Sequence, residues 1–406
     1  MTLFEKNVNI YDGNAFVRGK LNRPLSLYRE GADTIRDPDS IYVFPAFCDV
    51  HVHLREPGFI YKETVRSGTL AAAHGGYTDI CAMPNLDPVP DSPESLKIET
   101  DIISRDAVIR VHPYGALTIG EHGKALARLR EIGENVVAFS DDGHGVQSED
   151  IMRRAMQIAA DMGKIVAAHC EDESLVCGGC VHDGVYAAQH GLPGIPSESE
   201  WRQLERDLRL VRECGCAYHV CHVSCEESVR LIRQAKFEGL DVTCETAPHY
   251  LILTEDDLTD DGAYKMNPPL RSTHDRAALL EGIADGTVDM IATDHAPHSA
   301  EEKSRGLANS LMGISGLECA FPILYTELVR NGVITLERLI ELMSDAPRRR
   351  FALPCGDDIC VFDLERCYTI DPMKFLSSGK CTPFSGRRVF GENLLTVCGG
   401  KTVWSI

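Results

Sequence analysis

Apolar runs alternate with amphipathic stretches along most of this chain. Segments such as residues 148–162 and 197–214 carry apolar residues at three- and four-residue spacing, which predicts helices. Continuous apolar runs between helices are typical of parallel strands buried on both faces. Eight such runs, each ending in a polar tip, predict an α/β protein with a (β/α)8 TIM-type barrel. The runs span residues 42–53, 77–85, 108–117, 135–142, 164–172, 217–224, 241–250 and 288–298.

The two chain ends carry a different pattern, in which short alternating segments are separated by glycine and proline. Such segments stand at residues 8–10 and 15–17 and again at 359–362 and 399–404, and they predict short β-strands. Because they flank the barrel on both sides, they predict one small β-sandwich domain formed from both chain ends. We expect this domain to contain residues 1–42 plus 350–406, with the barrel at 43–349.

Two of the predicted helices carry signals at their starts. Ser197 is followed three residues later by Glu200, which predicts a capping box. Ser148 precedes the other helix without such a partner, so a simple serine cap is expected there.

The amino-acid composition and charge argue against several classes of protein. The apolar fraction of 44% and the charged fraction of 25% are ordinary for a soluble globular protein. No stretch approaches the roughly 20 apolar residues of a membrane span, and the first residues lack a signal-peptide pattern, so we expect a cytoplasmic protein. The formal charge, 41 − 61 = −20, argues against binding to nucleic acid or to anionic membranes.

Sixteen cysteines are spread over the chain. Without an export signal they are expected to be reduced and mostly buried thiols. The clusters Cys177/Cys180 and Cys214/Cys216 match no common metal-binding spacing, which leaves a structural zinc or iron–sulfur site as the minor alternative.

The first polar tip contains two histidines one residue apart. His51 and His53 would share one face of a strand, where two imidazoles can bind one metal ion. Arg55 follows two residues later, close enough to hold an anionic ligand beside that metal. The alternative is that these are ordinary surface or core histidines, so the interpretation depends on further ligands at other strand ends.

Four other tips supply such ligands. In a barrel the carboxyl ends of the strands meet at one rim, so these side chains should converge. Four imidazoles and two carboxylates exceed the needs of one tetrahedral zinc and predict two ions that share a carboxylate. The first ion would be held by His51, His53 and Asp294, the second by His169 and His222, and the shared carboxylate would come from strand four. Asp294 would also be placed to accept and return a proton.

Over nearly all of its length the sequence resembles the class I, long-chain dihydroorotases of the amidohydrolase superfamily. The motifs that carry the resemblance are FPAFCDVHVHLREPG, GGYTDICAMPN, AFSDDG, AHCED, GLPGIP, YHVCHVS, TCETAPHYL, KMNPPLR, ATDHAPH and CTPFSG. The resemblance implies two zinc ions per chain and a small-molecule substrate. It implies the metal ligands His51, His53, His169, His222 and Asp294, with Asp294 as general acid/base, and the substrate-binding residues Arg55, Asn85, Asn267 and His298.

The fourth strand separates subfamilies of this superfamily. Hydantoinases, allantoinases and short-chain dihydroorotases bridge their metals with a carboxylated lysine, and residues 139–143 contain none. The class I variant uses an aspartate there, for which we favour Asp142 and keep Asp141 as the alternative.

The implied reaction is the reversible hydrolysis of (S)-dihydroorotate to N-carbamoyl-L-aspartate in de novo pyrimidine biosynthesis. Two alternatives remain: another cyclic-amide hydrolase of the hydantoinase or allantoinase type, and a non-catalytic dihydroorotase-like partner of aspartate transcarbamoylase. The resemblance is compatible with a homodimer and with association with aspartate transcarbamoylase.

Three further histidines and one segment are left outside the predicted site. His295 and His249 are expected to pack or to support other residues, whereas His219 stays unassigned because its offset of three from His222 turns it to the opposite face of a regular strand. Residues 299–306 form a polar segment that is either a mobile lid or a solvated loop.

Overall fold

The computed structural model describes residues 7–20, 37–354 and 356–406. The strands are β1 (Val8–Tyr11), β2 (Phe16–Gly19), β3 (Ile41–Pro45), β4 (Phe47–Val52), β5 (Tyr77–Ala82), β6 (Arg110–Pro113), β7 (Gly115–Ala116), β8 (Phe139–Ser140), β9 (Ile165–Ala168), β10 (Val181–His182), β11 (Gly194–Ile195), β12 (Ala217–Val220), β13 (Val242–Thr246), β14 (Met290–Ile291), β15 (Ile359–Thr369), β16 (Arg388–Cys398) and β17 (Lys401–Ser405).

The α-helices cover the outside of the barrel and fill its connections. They are α1 (Val65–Gly75), α2 (Pro93–Asp106), α3 (Leu129–Ile132), α4 (Glu149–Asp161), α5 (Glu173–Val176), α6 (Val185–His190), α7 (Glu198–Cys214), α8 (Glu226–Phe237), α9 (Pro248–Ile252), α10 (Thr273–Asp285), α11 (Ala300–Lys303), α12 (Gly306–Asn309), α13 (Ala320–Leu324), α14 (Leu336–Ile340) and α15 (Ala346–Arg350). None of these described helices is both long and apolar enough to cross a lipid bilayer.

The predicted barrel is confirmed. Its strands pair in parallel in the order β4, β5, β6–β7, β8, β9, β12, β13 and β14. The third strand is interrupted at Tyr114, so β6 pairs with β5 and β7 pairs with β8. Val52 and His295 close the ring through a parallel bridge, in which the His53 amide donates to the His295 carbonyl at 2.9 Å. The polar tips of the strands therefore meet at one rim.

Both chain ends build one β unit, as predicted. Its strands form a six-stranded sheet in the order β17, β16, β15, β3, β1 and β2, which is antiparallel except between β1 and β3. The apolar run at residues 42–53 is divided between the two sheets, because the chain passes from β3 to the barrel strand β4 at Ala46. The apolar pattern is continuous across this point, so it could not show the change of sheet.

A cluster of aromatic side chains joins the chain-end sheet to the barrel. Phe44 on β3 stacks on Phe362 of β15 with ring centroids 5.4 Å apart. Phe47, the first residue of β4, stacks on Phe321 of α13 at 5.3 Å. All four rings are buried, and such pairs contribute about 0.5–1.5 kcal/mol each beyond their burial. Because Phe47 stands at the amino end of its strand, the cluster lies at the opposite end of the barrel from the polar tips.

A buried ion pair reinforces the same junction. The last barrel helix, α15, ends at Arg350, beside the predicted barrel end at residue 349. Arg348 is 3% exposed and donates to Asp79 at 2.6 Å and to the carbonyl oxygens of Ala46 and Phe47 at 3.1 and 3.2 Å. The guanidinium thus holds the end of the last barrel helix against the first two barrel strands.

We expect Asp79→Asn to lower the free energy of unfolding by about 3 kcal/mol, because it removes the carboxylate from a buried guanidinium. Burial alone raises the pKa of Asp79, but His112, Arg110 and Arg348 outweigh burial and hold it below its ordinary value. The stabilisation is therefore complete above pH ~4 and is lost as the pH falls below that. Denaturant unfolding at neutral pH measures it. Asp101→Asn, which breaks the exposed pair with Lys97, should change stability by less than about 1 kcal/mol.

The capping box predicted at Ser197 is wrong, although α7 begins at the predicted place. Ser197 makes no side-chain hydrogen bond at the start of α7. Its expected partner Glu200 instead accepts from the amide of Ser224 at 3.1 Å and from the hydroxyl of the same residue, and it lies 3.7 Å from Arg271. Because Glu200 binds these distant residues, its side chain does not bond to the amide of Ser197 as a capping box requires. The cap at Ser148 is confirmed, because its hydroxyl accepts from the Ile151 amide at 3.3 Å.

The cysteines follow the expected pattern. All described cysteines are free thiols, and most of them are buried. Cys177 is exposed and Cys180 is buried. Among the described residues, no candidate metal-binding group contains a cysteine of either predicted cluster. A different cysteine, Cys221, lies beside His51 and Glu245.

Candidate active site

The polar tips of the barrel strands surround one cavity of about 210 Å³. Nine of the ten predicted site residues line it; the tenth, His51, is fully buried beside them. The lining consists of His53, Arg55, Asn85, Asp142, Gly143, His169, His222, Asn267, Asp294, Ala296, His298, Met312 and Gly313. The fold thus brings side chains from seven strand ends together at one rim of the barrel.

Asp142 lies at the centre of the histidines. Its Oδ1 is 3.3 Å from Nε2 of His51, and its Oδ2 is 3.4 Å from Nε2 of His53. The same Oδ1 lies 3.6 Å from Nε2 of His222 and 4.0 Å from Nδ1 of His169. One carboxylate is therefore within 4.0 Å of a ring nitrogen from each of the four histidines.

Asp141 lies outside this cluster. Its Oδ1 accepts from the amides of Leu117 and Thr118 at 2.7 and 3.0 Å, and its Oδ2 accepts from the Thr118 hydroxyl. Burial raises the pKa of Asp141 to about 6. These bonds tie the fourth strand to the loop after the third, so the carboxylate faces away from the cavity.

Hydrogen bonds orient the first two histidines. Nδ1 of His51 lies 2.6 Å from Oε1 of Glu245, and Nδ1 of His53 lies 2.8 Å from Oδ1 of Asn85. Because a carboxylate and an amide oxygen accept, each ring carries its proton on Nδ1 and presents the Nε2 lone pair inward. Nε2 of His53 and Nε2 of His51 lie 3.2 and 3.6 Å from Oδ1 of Asp294.

The other two histidines face each other. Nδ1 of His169 lies 2.9 Å from Nε2 of His222, and both atoms point toward Asp142. Nε2 of His51 and Oδ1 of Asp142 are buried without a hydrogen-bond partner. These buried nitrogen and oxygen atoms carry lone pairs, lack hydrogen-bond partners and lie close together. They therefore fit the ligands of a divalent cation. Each candidate metal-binding group among the described residues includes His51.

Three site residues have left-handed backbone conformations that are unusual for residues other than glycine. The φ angles of Arg55, His222 and Asp294 are 60°, 34° and 48°. Each such residue costs about 1–3 kcal/mol, and such strain collects at functional sites. The turn at His222 ends the regular alternation of β12, which explains its odd offset from His219. His219 points below the cavity, where its Nε2 lies 3.0 Å from Oε2 of Glu245.

The carboxylate of Asp294 is ionised. Burial alone raises the pKa of Asp294, but the neighbouring rings of His53 and His51, 3.2 and 3.6 Å away, outweigh burial and hold it below its ordinary value. An ionised carboxylate at this point can bind a cation or accept a proton.

The opposite side of the cavity carries positive charge and amides. Arg55 is buried and donates from Nε to the Pro297 carbonyl at 3.3 Å. Nδ2 of Asn267 donates to Oε1 of Glu171 at 2.9 Å, and its Oδ1 is buried without a hydrogen-bond partner. Nε2 of His298 lies 2.7 Å from the Met312 carbonyl. This side suits a small anion with amide edges.

Sequence reasoning missed two supporting carboxylates. Glu245 joins His51 to His219 below the cavity; burial raises its pKa, but the two histidines outweigh burial and lower it to about 2. Glu171 lies 3.6 Å from Nε2 of His169 and also holds Asn267. The sequence did offer a signal for both residues, because each glutamate lies in an apolar run. A buried carboxylate needs hydrogen-bond or charged partners, so each could have been expected to support a neighbouring polar residue.

The residues placed outside the site also have defined surroundings. Nε2 of His295 lies 3.3 Å from Oε2 of Glu63, and its Nδ1 accepts from the Gly316 amide at 3.1 Å. His249 is buried. In the segment at 299–306, Lys303 is buried and donates to the carbonyl oxygens of Lys265, Leu311 and Gly313 at 3.0, 2.8 and 2.7 Å. These bonds anchor the segment beside the cavity.

The chain resembles known proteins in both sequence and fold. A family model for dihydro-orotase-like proteins matches residues 41–228. The chain is 49% identical to a dihydroorotase of Fusobacterium nucleatum over 92% of its own length and 89% of that protein, and 49% identical to one of Bacillus thuringiensis over 91% and 88%. An L-hydantoinase structure from Arthrobacter aurescens matches with a TM-score of 0.84 and 26% identity, covering 98% of this chain and 95% of that one. A dihydropyrimidinase structure from Brevibacillus agri matches with a TM-score of 0.80 and 22% identity over 98% and 94%.

Proposed function

This chain belongs to the dihydroorotase family of cyclic-amide hydrolases, and from that premise we infer that it interconverts (S)-dihydroorotate and N-carbamoyl-L-aspartate in pyrimidine biosynthesis. One observation supports this reaction most directly. A buried carboxylate, that of Asp142, lies within 4.0 Å of four histidines in a cavity whose other wall carries a buried arginine.

The histidines and carboxylates are proposed to hold two zinc ions. His51, His53 and Asp294 would bind the first ion, and His169 and His222 the second. Asp142 would bridge them, as its central position suggests. When bound, such ions make a water molecule acidic near neutral pH and polarise the carbonyl that it attacks.

The substrate is proposed to bind between this cluster and the charged wall. Arg55 has guanidinium nitrogens beyond the one bonded to Pro297, and these can hold the substrate carboxylate through two parallel hydrogen bonds. Asn85, Asn267 and His298 would bind the carboxylate and the edges of the ring. A cavity of about 210 Å³ suits a ligand of this size and excludes a long chain.

Proton transfer is proposed to belong to Asp294. As an ionised carboxylate it can take the proton of the attacking water and deliver it to the ring nitrogen as the C–N bond breaks. In the reverse direction Asp294 would take a proton from the carbamoyl nitrogen as that nitrogen bonds to the carbon of the protonated side-chain carboxyl group. The hydroxide that leaves this carbon would regain the proton from Asp294 and depart as water.

The direct test combines metal analysis of the purified protein with an assay of dihydroorotate ring opening. We expect two zinc equivalents per chain and turnover that is lost after chelation and restored by zinc. Metal-loaded protein without turnover of dihydroorotate would contradict the proposed reaction.

We expect Arg55→Lys to raise KM for dihydroorotate about tenfold with a smaller change in kcat, because a point charge cannot replace the two-pronged contact. Steady-state kinetics in both directions measure the effect. Arg305→Lys, an exposed arginine on the rim, serves as the control. An unchanged KM in the Arg55 variant would show that the substrate carboxylate binds elsewhere.

The two alternatives make different predictions. A hydantoinase-type enzyme would open hydantoin or dihydrouracil faster than dihydroorotate; the absence of a lysine in residues 139–143 and the presence of Arg55 favour dihydroorotate. A non-catalytic partner of aspartate transcarbamoylase is disfavoured because the full set of predicted ligands converges on one cavity. Assaying the three cyclic amides side by side separates these cases.

A homodimer, an association with aspartate transcarbamoylase and a cytoplasmic location stay predictions, as does the expectation that the protein does not bind nucleic acid. Light scattering of the protein alone and mixed with aspartate transcarbamoylase would measure both assemblies.

A further inference from the structure

A lysine outside the cavity supports one of its walls. Lys62 does not line the cavity, but its ammonium lies 3.2 Å from Nδ1 of His298, which does. The same ammonium lies 3.1 Å from Oε1 of Glu302, and the side chain of Lys62 is only 11% exposed. Oε2 of Glu302 is itself 3.5 Å from Nδ1 of His298, so the ammonium contacts a carboxylate and an imidazole that also lie close to each other.

The hydrogen bonds of His298 identify its protonation state. Nε2 lies 2.7 Å from the carbonyl oxygen of Met312, and a carbonyl only accepts, so Nε2 carries the proton. The ammonium of Lys62 lies 3.2 Å from Nδ1 and can only donate, so Nδ1 is the acceptor and the ring is neutral. Burial, followed by the charges of Arg55 and Lys62, lowers the pKa of His298 to about 3. The charged groups that face the ring are Arg55, Lys62, Glu302 and Lys303.

The position of Lys62 is built by its surroundings. Its ammonium lies 5.5 Å from the ring centroids of both Phe59 and Tyr61, within the range of a cation–π contact. Glu302 is held in turn by the amide and hydroxyl of Ser299, each at 3.0 Å. The lysine therefore connects the loop after the first barrel strand to the helix after the eighth.

We propose that Lys62 is a positioning residue that keeps His298 neutral, with its proton on Nε2, by donating to Nδ1 and offsetting the charge of Glu302. The inference rests on the proposed function, in which the substrate carboxylate binds beside Arg55 and His298. Without the ammonium, the charge of Glu302, which lies 3.5 Å from Nδ1, would no longer be offset, and the end of the cavity that receives the anion would lose one positive charge. Substrate binding would weaken, whereas the reacting groups around Asp142 and Asp294 would be undisturbed.

Three variants separate this role from simple packing. We expect Lys62→Met to raise KM for dihydroorotate about tenfold with kcat within about threefold, and Lys62→Arg to keep most of the affinity. In the double variant Lys62→Met/Glu302→Gln the removed cation and anion cancel, so KM should return to within about threefold of the wild-type value. An equal loss of kcat in Lys62→Met, or a double variant as weak as the single one, would overturn the proposal.

The imidazole itself provides a measurement that needs no turnover. NMR titration of the metal-loaded protein, with the His298 signals assigned by comparison with His298→Gln, should show a neutral ring down to pH ~5 in the wild type. In Lys62→Met the ring should gain a proton at a higher pH, because Glu302 then stabilises the imidazolium. Identical titrations would overturn the role of Lys62. A wild-type protein without dihydroorotate turnover whose His298 titration still depends on Lys62 would overturn the proposed function alone.

Discussion

Replacing Asp294 by asparagine should lower kcat for dihydroorotate ring opening by about two to four orders of magnitude, the range for loss of a general acid/base. The asparagine keeps the shape and one oxygen ligand but cannot take the proton of the attacking water. Asparagine also tolerates the left-handed backbone at this position, where φ is 48°, better than alanine does. The substitution therefore tests proton transfer with little added strain.

Metal content must be measured on the same samples, because Asp294 lies 3.2 and 3.6 Å from Nε2 of His53 and His51. We expect Asp294→Asn to keep most of its metal and a KM near that of the wild type. Glu301→Gln, which changes a carboxylate that is 86% exposed on α11, should leave kcat unaltered. A metal-loaded Asp294→Asn protein with kcat within threefold of the wild type would assign the proton transfer to another group.

The arrangement of the site was predictable where it depends on parallel strands. Strands that run in one direction around a barrel must deliver their polar ends to one rim, so His51, His169 and Asp294 could be placed together although they are far apart in sequence. The alternation of side chains in a strand then sufficed to put His53 beside His51.

Features that depend on distant partners could not be predicted. The offset of His222 from His219 conflicts with strand alternation, and only the φ of 34° at His222 resolves it. Glu200 satisfied a local capping pattern but bonds to Ser224 on another strand end. Likewise nothing in the sequence around Glu245 indicates that it orients His51. In each case a tertiary contact outweighs the local signal.

The choice between the adjacent aspartates of the fourth strand shows the same limit. Sequence alone could only favour Asp142 over Asp141, since either carboxylate could face the cavity. The contacts that distinguish them come from the loop after the third strand, where the amides of Leu117 and Thr118 donate to Asp141 at 2.7 and 3.0 Å. Asp142 is left as the carboxylate that faces the histidines.

Asparagine substitutions at these two positions should therefore differ in their effect on metal binding: only the one at Asp142 should lower it. Asp142→Asn removes the charge that lies within 4.0 Å of four histidines, and we expect it to lose at least one ion per chain and to lower kcat at least about a hundredfold. Asp141→Asn should keep its metal, because the contacts it disturbs belong to Thr118 and Leu117. Elemental analysis and the ring-opening assay, made on both proteins in parallel, measure the difference.

The neighbouring variant also controls for general damage to the fourth strand. Asp141→Asn is expected to lower thermal stability, since it weakens a carboxylate that receives three hydrogen bonds. If Asp141→Asn instead lost metal while Asp142→Asn kept it, the bridging role would belong to Asp141. The end of the fourth strand would then have to change conformation so that Asp141 faces the histidines. If both kept their metal and activity, the four histidines would have to hold their ions without any bridging carboxylate, and the central position of Asp142 would have no part in catalysis.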